Sequence, residues 1–209
     1  MLNKNARILK ISEIKDIAER DSKSLKTEVE WKDHLEVMTV CKIPLDCLIY
    51  NEINGRILSR TKSLSVQNKK INAEDDDDKK LIEDLLWKSS ESENETTLLN
   101  IHQLGQQKIG IVTKDGIVID GNRRLMLLNE LKTKRHTLKS SRLSKSYDYF
   151  KAVVLPVTQE EEPEAIEKLE TTYQLGEDQK VDYNPINLYL KIKNQYETLA
   201  QESYPKSNE

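Results

Sequence analysis

Cysteine is almost missing from this chain of 209 residues: Cys41 and Cys47 are all it has. Two thiols are too few for a disulfide framework and have no partner pair to complete a four-ligand zinc site, so both read as reduced, half-buried structural residues. The scattered His34, His102 and His136 add nothing toward a metal site. Glycine (6) and proline (5) are scarce, which excludes collagen-like and low-complexity chains. No apolar run approaches the ~18 residues a membrane span needs, and the first ten residues hold no apolar signal region; a cytoplasmic protein without membrane contact is expected. Neither sign of charge dominates. With Lys+Arg 33 against Asp+Glu 36, the net charge of -3 offers nucleic acid no global attraction, so any such contact must use a local patch.

What is present suffices for one domain with a helical appendix: 36% hydrophobic and 33% charged residues, a core under a heavily charged surface. Helical spacing of Ile14, Ile17 and Ala18 behind Ser12 predicts a helix over 12–20. Residues 35–44 read as one strand ending near Pro44, with an apolar continuation to Tyr50 and a turn-rich loop over 51–56. The acidic run 74–78 reads as the solvated start of a helix reaching Trp87, 89–94 as a polar loop, and 97–104 as a short helix stopped by Gly105. Asp115-Gly116 between two apolar runs is a strong hairpin signal, and 121–124 leads into an apolar helix over 125–131. A strand over 150–157, an acidic helix within 160–178 and a helix from Asn184-Pro185 to about Ala200 complete the pattern. The expected fold class is α+β: a small mixed sheet built from the Val37 strand, the Ile109/Ile117 hairpin and the Ala152 strand, with flanking helices.

Chemistry concentrates at Asp120-Gly121-Asn122-Arg123-Arg124. A helix N-terminus presents unpaired N–H groups and partial positive charge, so two arginines there stand against the dipole. A bound anion explains them, because it takes the N–H groups and the guanidinium forks together, with Gly121 allowing close approach. The alternative is that Arg124 pairs with Asp120 or with the acidic helix and no ligand exists.

Four segments in order resemble the N-terminal domain of the ParB/sulfiredoxin superfamily. Asn54-Gly55-Arg56 is similar to the Asn-x-Arg after that family's first strand. Gly105-Gln-Gln-Lys-Ile-Gly-Ile-Val112 is similar to its Gly-x-x-Gln-Pro-Ile-Val-Val box, with Lys108 and Ile109 at the Gln and Pro positions. Asp120-Gly-Asn-Arg-Arg124 resembles the Gly-Glu-Arg-Arg box that cradles nucleotide phosphates, and Gln179-Lys-Val-Asp-Tyr-Asn-Pro-Ile186 resembles the Gln-Arg-x-Asp-Leu-Asn-Pro-Ile of partition proteins. The resemblance implies a ParB-like domain over 35–200, a helical extension over 1–34 and a disordered tail over 201–209. It implies a nucleoside triphosphate, CTP or ATP, with or without Mg²⁺, held by Arg56, Gly105, Asp120, Gly121, Asn122, Arg123, Arg124, Gln179 and Lys180.

The implied role is a nucleotide switch in a DNA-associated system, partition-like or in phage or mobile-element defence, working with a downstream domain or partner protein and open to homodimerisation. Two alternatives stand beside it: a ParB-like nuclease or NTPase, for which Asp120, Glu177 and Asp178 are the candidate metal ligands, and a non-catalytic interaction module. Asn122 replaces the family's Glu, which puts hydrolysis in question more than binding. No cysteine stands at the phosphate box, which argues against a sulfiredoxin. The helix-turn-helix module that follows in partition proteins is not found before Glu209, leaving a lone domain or part of a longer protein as the two expectations.

Residues 132–147 read as a basic insertion. From Arg123 to Lys151 nine Lys or Arg face only Glu130 and Asp148, whereas 160–178 holds eight acids against Lys168. Lys134, Arg135, Lys139 and Arg142, with Tyr147 and Tyr149 following, suit a nucleic-acid backbone. The competing reading is a solvated loop that offsets the acidic helix.

Overall fold

The computed structural model describes residues 2–66, 71–138, 144–177, 186, 189, 190 and 193. Its centre grows from the Asp-Gly hairpin: β5 (Gly110–Val112) and β6 (Ile117–Asp120) pair antiparallel across a turn in which Gly116 takes φ +91°. A Cβ there would lie 2.3 Å from the Cys47 carbonyl oxygen, so both the dihedral and the contact require glycine. Around the hairpin, β3 (Cys41–Pro44), β4 (Ile49–Tyr50) and β7 (Tyr149–Val154) complete a five-stranded mixed sheet in the order β3-β7-β5-β6-β4. β7 runs parallel to β5 and β4 parallel to β6, while β3 and β7 are antiparallel.

Continuous apolar strands are buried on both faces, and alternate residues here go to opposite sides. Val112, Val118, Ala152 and Val154 face helices α1 (Lys4–Arg20), α3 (Asp76–Ser89), α4 (Glu91–Leu104) and α5 (Asn122–Thr133), in a core that includes Ile11, Ile82, Leu86, Ile101, Leu125 and Leu128. Ile111, Ile119, Val153 and Leu155 face Ile166 and Leu169 of α6 (Pro163–Glu177) together with Val29 and Trp31. The latter two come from β1 (Lys26–Trp31), which forms a separate two-stranded sheet with β2 (His34–Thr39). Helix α2 (Leu58–Val66) follows the 51–56 loop.

The mixed α+β class agrees with the sequence; several elements differ. The strand expected over 35–44 is two strands in two sheets, so Val37 lies outside the main sheet and Cys41 begins its part in it. Strand β1 carries no hairpin signal in the sequence, because its turn, Lys32-Asp33, takes φ 52° and 64° without the Gly or Asn that normally marks such a turn. The boundary at 34/35 falls inside β2, and Ile11 of the supposed extension is fully buried in the core. Helix α1 starts at Lys4, capped by Asn3, whose Oδ1 accepts from Ala6 N; Ser12 sits in its interior. The expected loop over 89–94 is mostly the first turn of α4. Buried Asn94 donates to the carbonyls of Leu86 and Trp87 and ties the end of α3 to the start of α4. The acidic run does start α3, with Asp75 accepting from the N–H groups of Asp77 and Asp78. The helix expected from Asn184-Pro185 and the 201–209 tail lie outside the described residues, apart from Ile186, Tyr189, Leu190 and Lys193. No helix among the described residues is long and apolar enough to cross a membrane.

Candidate functional site

A cavity of about 420 Å³ opens where four chain segments meet: the 51–56 loop, the end of α4 with the 105–108 segment, the start of α5, and Tyr173 of α6. Arg56, Gly105, Asp120, Gly121, Asn122, Arg123 and Arg124 all line it. Gln179 and Lys180 lie outside the described residues. Residues up to 68 positions apart in the chain, Arg56 and Arg124, thus converge on one space, with Lys108 beside them. Among the lining residues Arg56, Lys108, Arg123 and Arg124 carry positive charge and Asp120 alone is acidic, an excess of three in a chain whose net charge is -3.

The start of α5 is set by Gly121, the N-cap residue at φ +105°, which offers no capping side chain. A Cβ at this position would come within 2.7 Å of the Phe150 ring. Glycine therefore serves the backbone and Phe150 first, and the bare helix start beside the cavity follows from it. Asn122 is buried and turned inward: its Oδ1 accepts from Asn51 N at 2.9 Å and its Nδ2 donates to the Val118 carbonyl at 2.7 Å. Its side chain joins the 51–56 loop to α5, leaving Arg123 and Arg124 as the charged groups of the first turn.

Both arginines have internal partners. Arg124 donates through Nη2 to Asp120 Oδ2 at 2.5 Å, and Arg123 donates through Nη1 to Glu93 Oε2 at 2.9 Å. The pairing of Arg124 with Asp120 agrees with one of the two readings of the box. Even so, the Nε atoms of Arg123 and Arg124 are buried and make no hydrogen bond among the described residues. Burial pushes the Arg123 pKa down against the support of Glu93, and the neighbouring charges of Arg56 and Arg124 push it further in the same direction. Three guanidiniums therefore act on one another, the condition an anion relieves.

Two residues that the sequence did not single out hold this arrangement. Glu170 of α6 is 1% exposed and accepts from Asn51 Nδ2, Asn54 Nδ2 and Gly55 N at 3.1 to 3.3 Å, clasping the loop that carries Arg56. Gln106 bonds β7 like a strand neighbour, donating to the Lys108 and Lys151 carbonyls and accepting from Lys151 N, which pins the segment after Gly105. A lone Glu in an acidic helix and one Gln of a pair carry no spacing signal for either role.

The basic segment behaves differently. Lys134 pairs with Glu130 and Arg135 with Asp148, so two of the four candidate nucleic-acid contacts have acidic partners flanking the segment. Lys139 and Arg142 lie outside the described residues. Tyr147 is 1% exposed, with its hydroxyl 2.7 Å from His102 Nδ1, and is buried away from any base; Tyr149 is exposed. The acids around 160 pair elsewhere, Glu160 with Lys4, Glu161 with Lys114 and Glu162 with Lys32, rather than offsetting this segment. Both cysteines are fully buried, which pushes their thiols up to about 11 and leaves them inert.

Among the described residues no group of three His, Cys, Asp or Glu side chains is arranged to hold a metal ion; Asp178 and the Glu177 side chain lie outside them. Comparison with family models, with curated proteins and with solved structures finds no match.

Proposed function

We propose that this cavity binds the phosphates of a nucleoside triphosphate, CTP or ATP, and that the protein works as a ParB-like nucleotide switch in a DNA-associated system. One observation carries the reading: Arg56, Lys108, Arg123 and Arg124 from three separate segments line one cavity with a single carboxylate among them, beside a glycine-started helix. The order of the Asn-x-Arg, Gly-led and Gly-x-Arg-Arg boxes supports it. The donor set suits phosphate oxygens. Asp120, the one acid of the lining, is engaged by Arg124, so any Mg²⁺ would depend on the phosphates themselves for most of its ligands.

Binding to a cavity bounded by the 51–56 loop, α4, α5 and α6 tightens the contacts among all four, which is what a switch requires. DNA contact through the basic segment is the less supported part, given the local pairing of Lys134 and Arg135. A thermal-shift panel of CTP, ATP and GTP, each with and without Mg²⁺, tests the reading. Stabilisation by at least one triphosphate and none by the bare nucleoside is the expected result; no shift with any of them favours the interaction-module alternative. Product analysis of the same samples tests the nuclease or NTPase alternative.

A further inference from the structure

Glu93 stands in the first turn of α4 and reaches across to Arg123 with its carboxylate, 2.9 Å from Nη1, while Thr97 Oγ1 lies 3.4 Å from Nη2 on the same side. A carboxylate on a guanidinium is the nearest thing within a protein to a phosphate on a guanidinium: the same planar fork meets two oxygens of a delocalised anion. Burial pushes the Glu93 carboxyl up, but the hydrogen bonds from Ser90 and Arg123 and the charges of Arg123 and Arg56 outweigh it. The group is therefore ionised throughout the neutral range.

We propose that Glu93 is a built-in competitor at this site, holding the Arg123 fork until a phosphoryl group displaces it and thereby selecting ligands with several negative charges over monoanions. The proposal rests on the reading of the cavity as a phosphate site and adds the residue that sets its threshold. A monoanion that displaces Glu93 trades one charge-assisted hydrogen bond for another and gains little. A di- or triphosphate makes the same trade and also reaches Arg56, Arg124 and Lys108, which line the same cavity. The swap also involves α4 at both ends, since the helix carries Glu93 in its first turn and ends at Gly105, itself part of the cavity wall.

Calorimetry on the full chain with inorganic triphosphate and with inorganic phosphate tests this in wild type, Glu93→Gln and Glu95→Gln, the last an exposed acid of the same helix that controls for charge alone. Glu93→Gln should bind triphosphate about tenfold tighter and show a smaller preference for triphosphate over phosphate, while Glu95→Gln stays within about twofold of wild type. Should Glu93→Gln lose its cooperative melt, Glu93→Asp keeps the charge but withdraws it from Arg123 and should bind tighter in the same way. Triphosphate bound by wild type with equal or lower affinity in the Glu93 variants overturns this inference and leaves the phosphate site standing. No binding by any variant overturns both.

Discussion

Arg7 and the pair Arg123/Arg124 are two places among the described residues where guanidinium groups are withdrawn from solvent, and they are finished differently. Arg7 is 1% exposed, and each nitrogen has an acceptor: Nε the Asp115 carbonyl, Nη1 the Leu2 carbonyl, Nη2 the Glu74 carboxylate. Arg123 and Arg124 are 13% and 14% exposed, border a cavity, and each keeps a buried Nε that bonds to nothing among the described residues. A buried donor without an acceptor costs stability, and Arg7 avoids that cost where Arg123 and Arg124 do not. The unsaturated pair lines the cavity proposed to receive phosphates.

Breaking Arg7 should give the largest effect. Arg7→Ala removes three hydrogen bonds and leaves a void between α1 and the β5–β6 turn, at a cost of about 3 kcal/mol. For a chain of this size that is roughly 6 to 12 °C in Tm, with triphosphate affinity unchanged in the protein that remains folded. Equal Tm values would remove Arg7 from the role of anchor. Arg123→Ala and Arg124→Ala should do the reverse, each losing ~1.5 to 3 kcal/mol of triphosphate binding with a much smaller change in Tm. Calorimetry on the two single variants checks it, and unchanged affinity in both would sink the anion site.

Gly121→Ala lies between these extremes because it touches fold and site together. It forces a side chain into φ +105° and against Phe150, which should lower stability by about 2 kcal/mol and weaken ligand binding along with it; a variant that melts like wild type would show that the strain is absorbed. The smallest effect belongs to the basic segment. Changing Lys134, Arg135, Lys139 and Arg142 to Ser should alter the slope of log K for DNA against log salt by at most one or two, since each released phosphate contact is worth about 0.9 and two of the four side chains already have acidic partners. A slope change of three or four would make this segment a principal DNA-facing surface.

The sequence by itself determined the local pieces that carry their own geometry. Asp115-Gly116 specifies its turn, Gly105 ends its helix, and Gly121-Asn-Arg-Arg starts the next one, because φ/ψ preference and alternation act within a few residues and need no distant partner. That was enough to mark residues 120–124, while Arg56 and Gly105 were marked only by the resemblance to the ParB/sulfiredoxin superfamily; all seven line the cavity. Only the tertiary structure decided how those pieces are used. It divided residues 35–44 between two sheets, because Val40 lies where the chain leaves β2 for β3 and apolar alternation does not register such a change of partner. It turned Asn122 inward, made Glu170 the clasp of the Arg56 loop, and set Glu93 on Arg123 across 30 positions of sequence. A carboxylate's role depends on which cation the fold brings within 3 Å of it, and that distance is a property of the packed helices and not of any short stretch of chain.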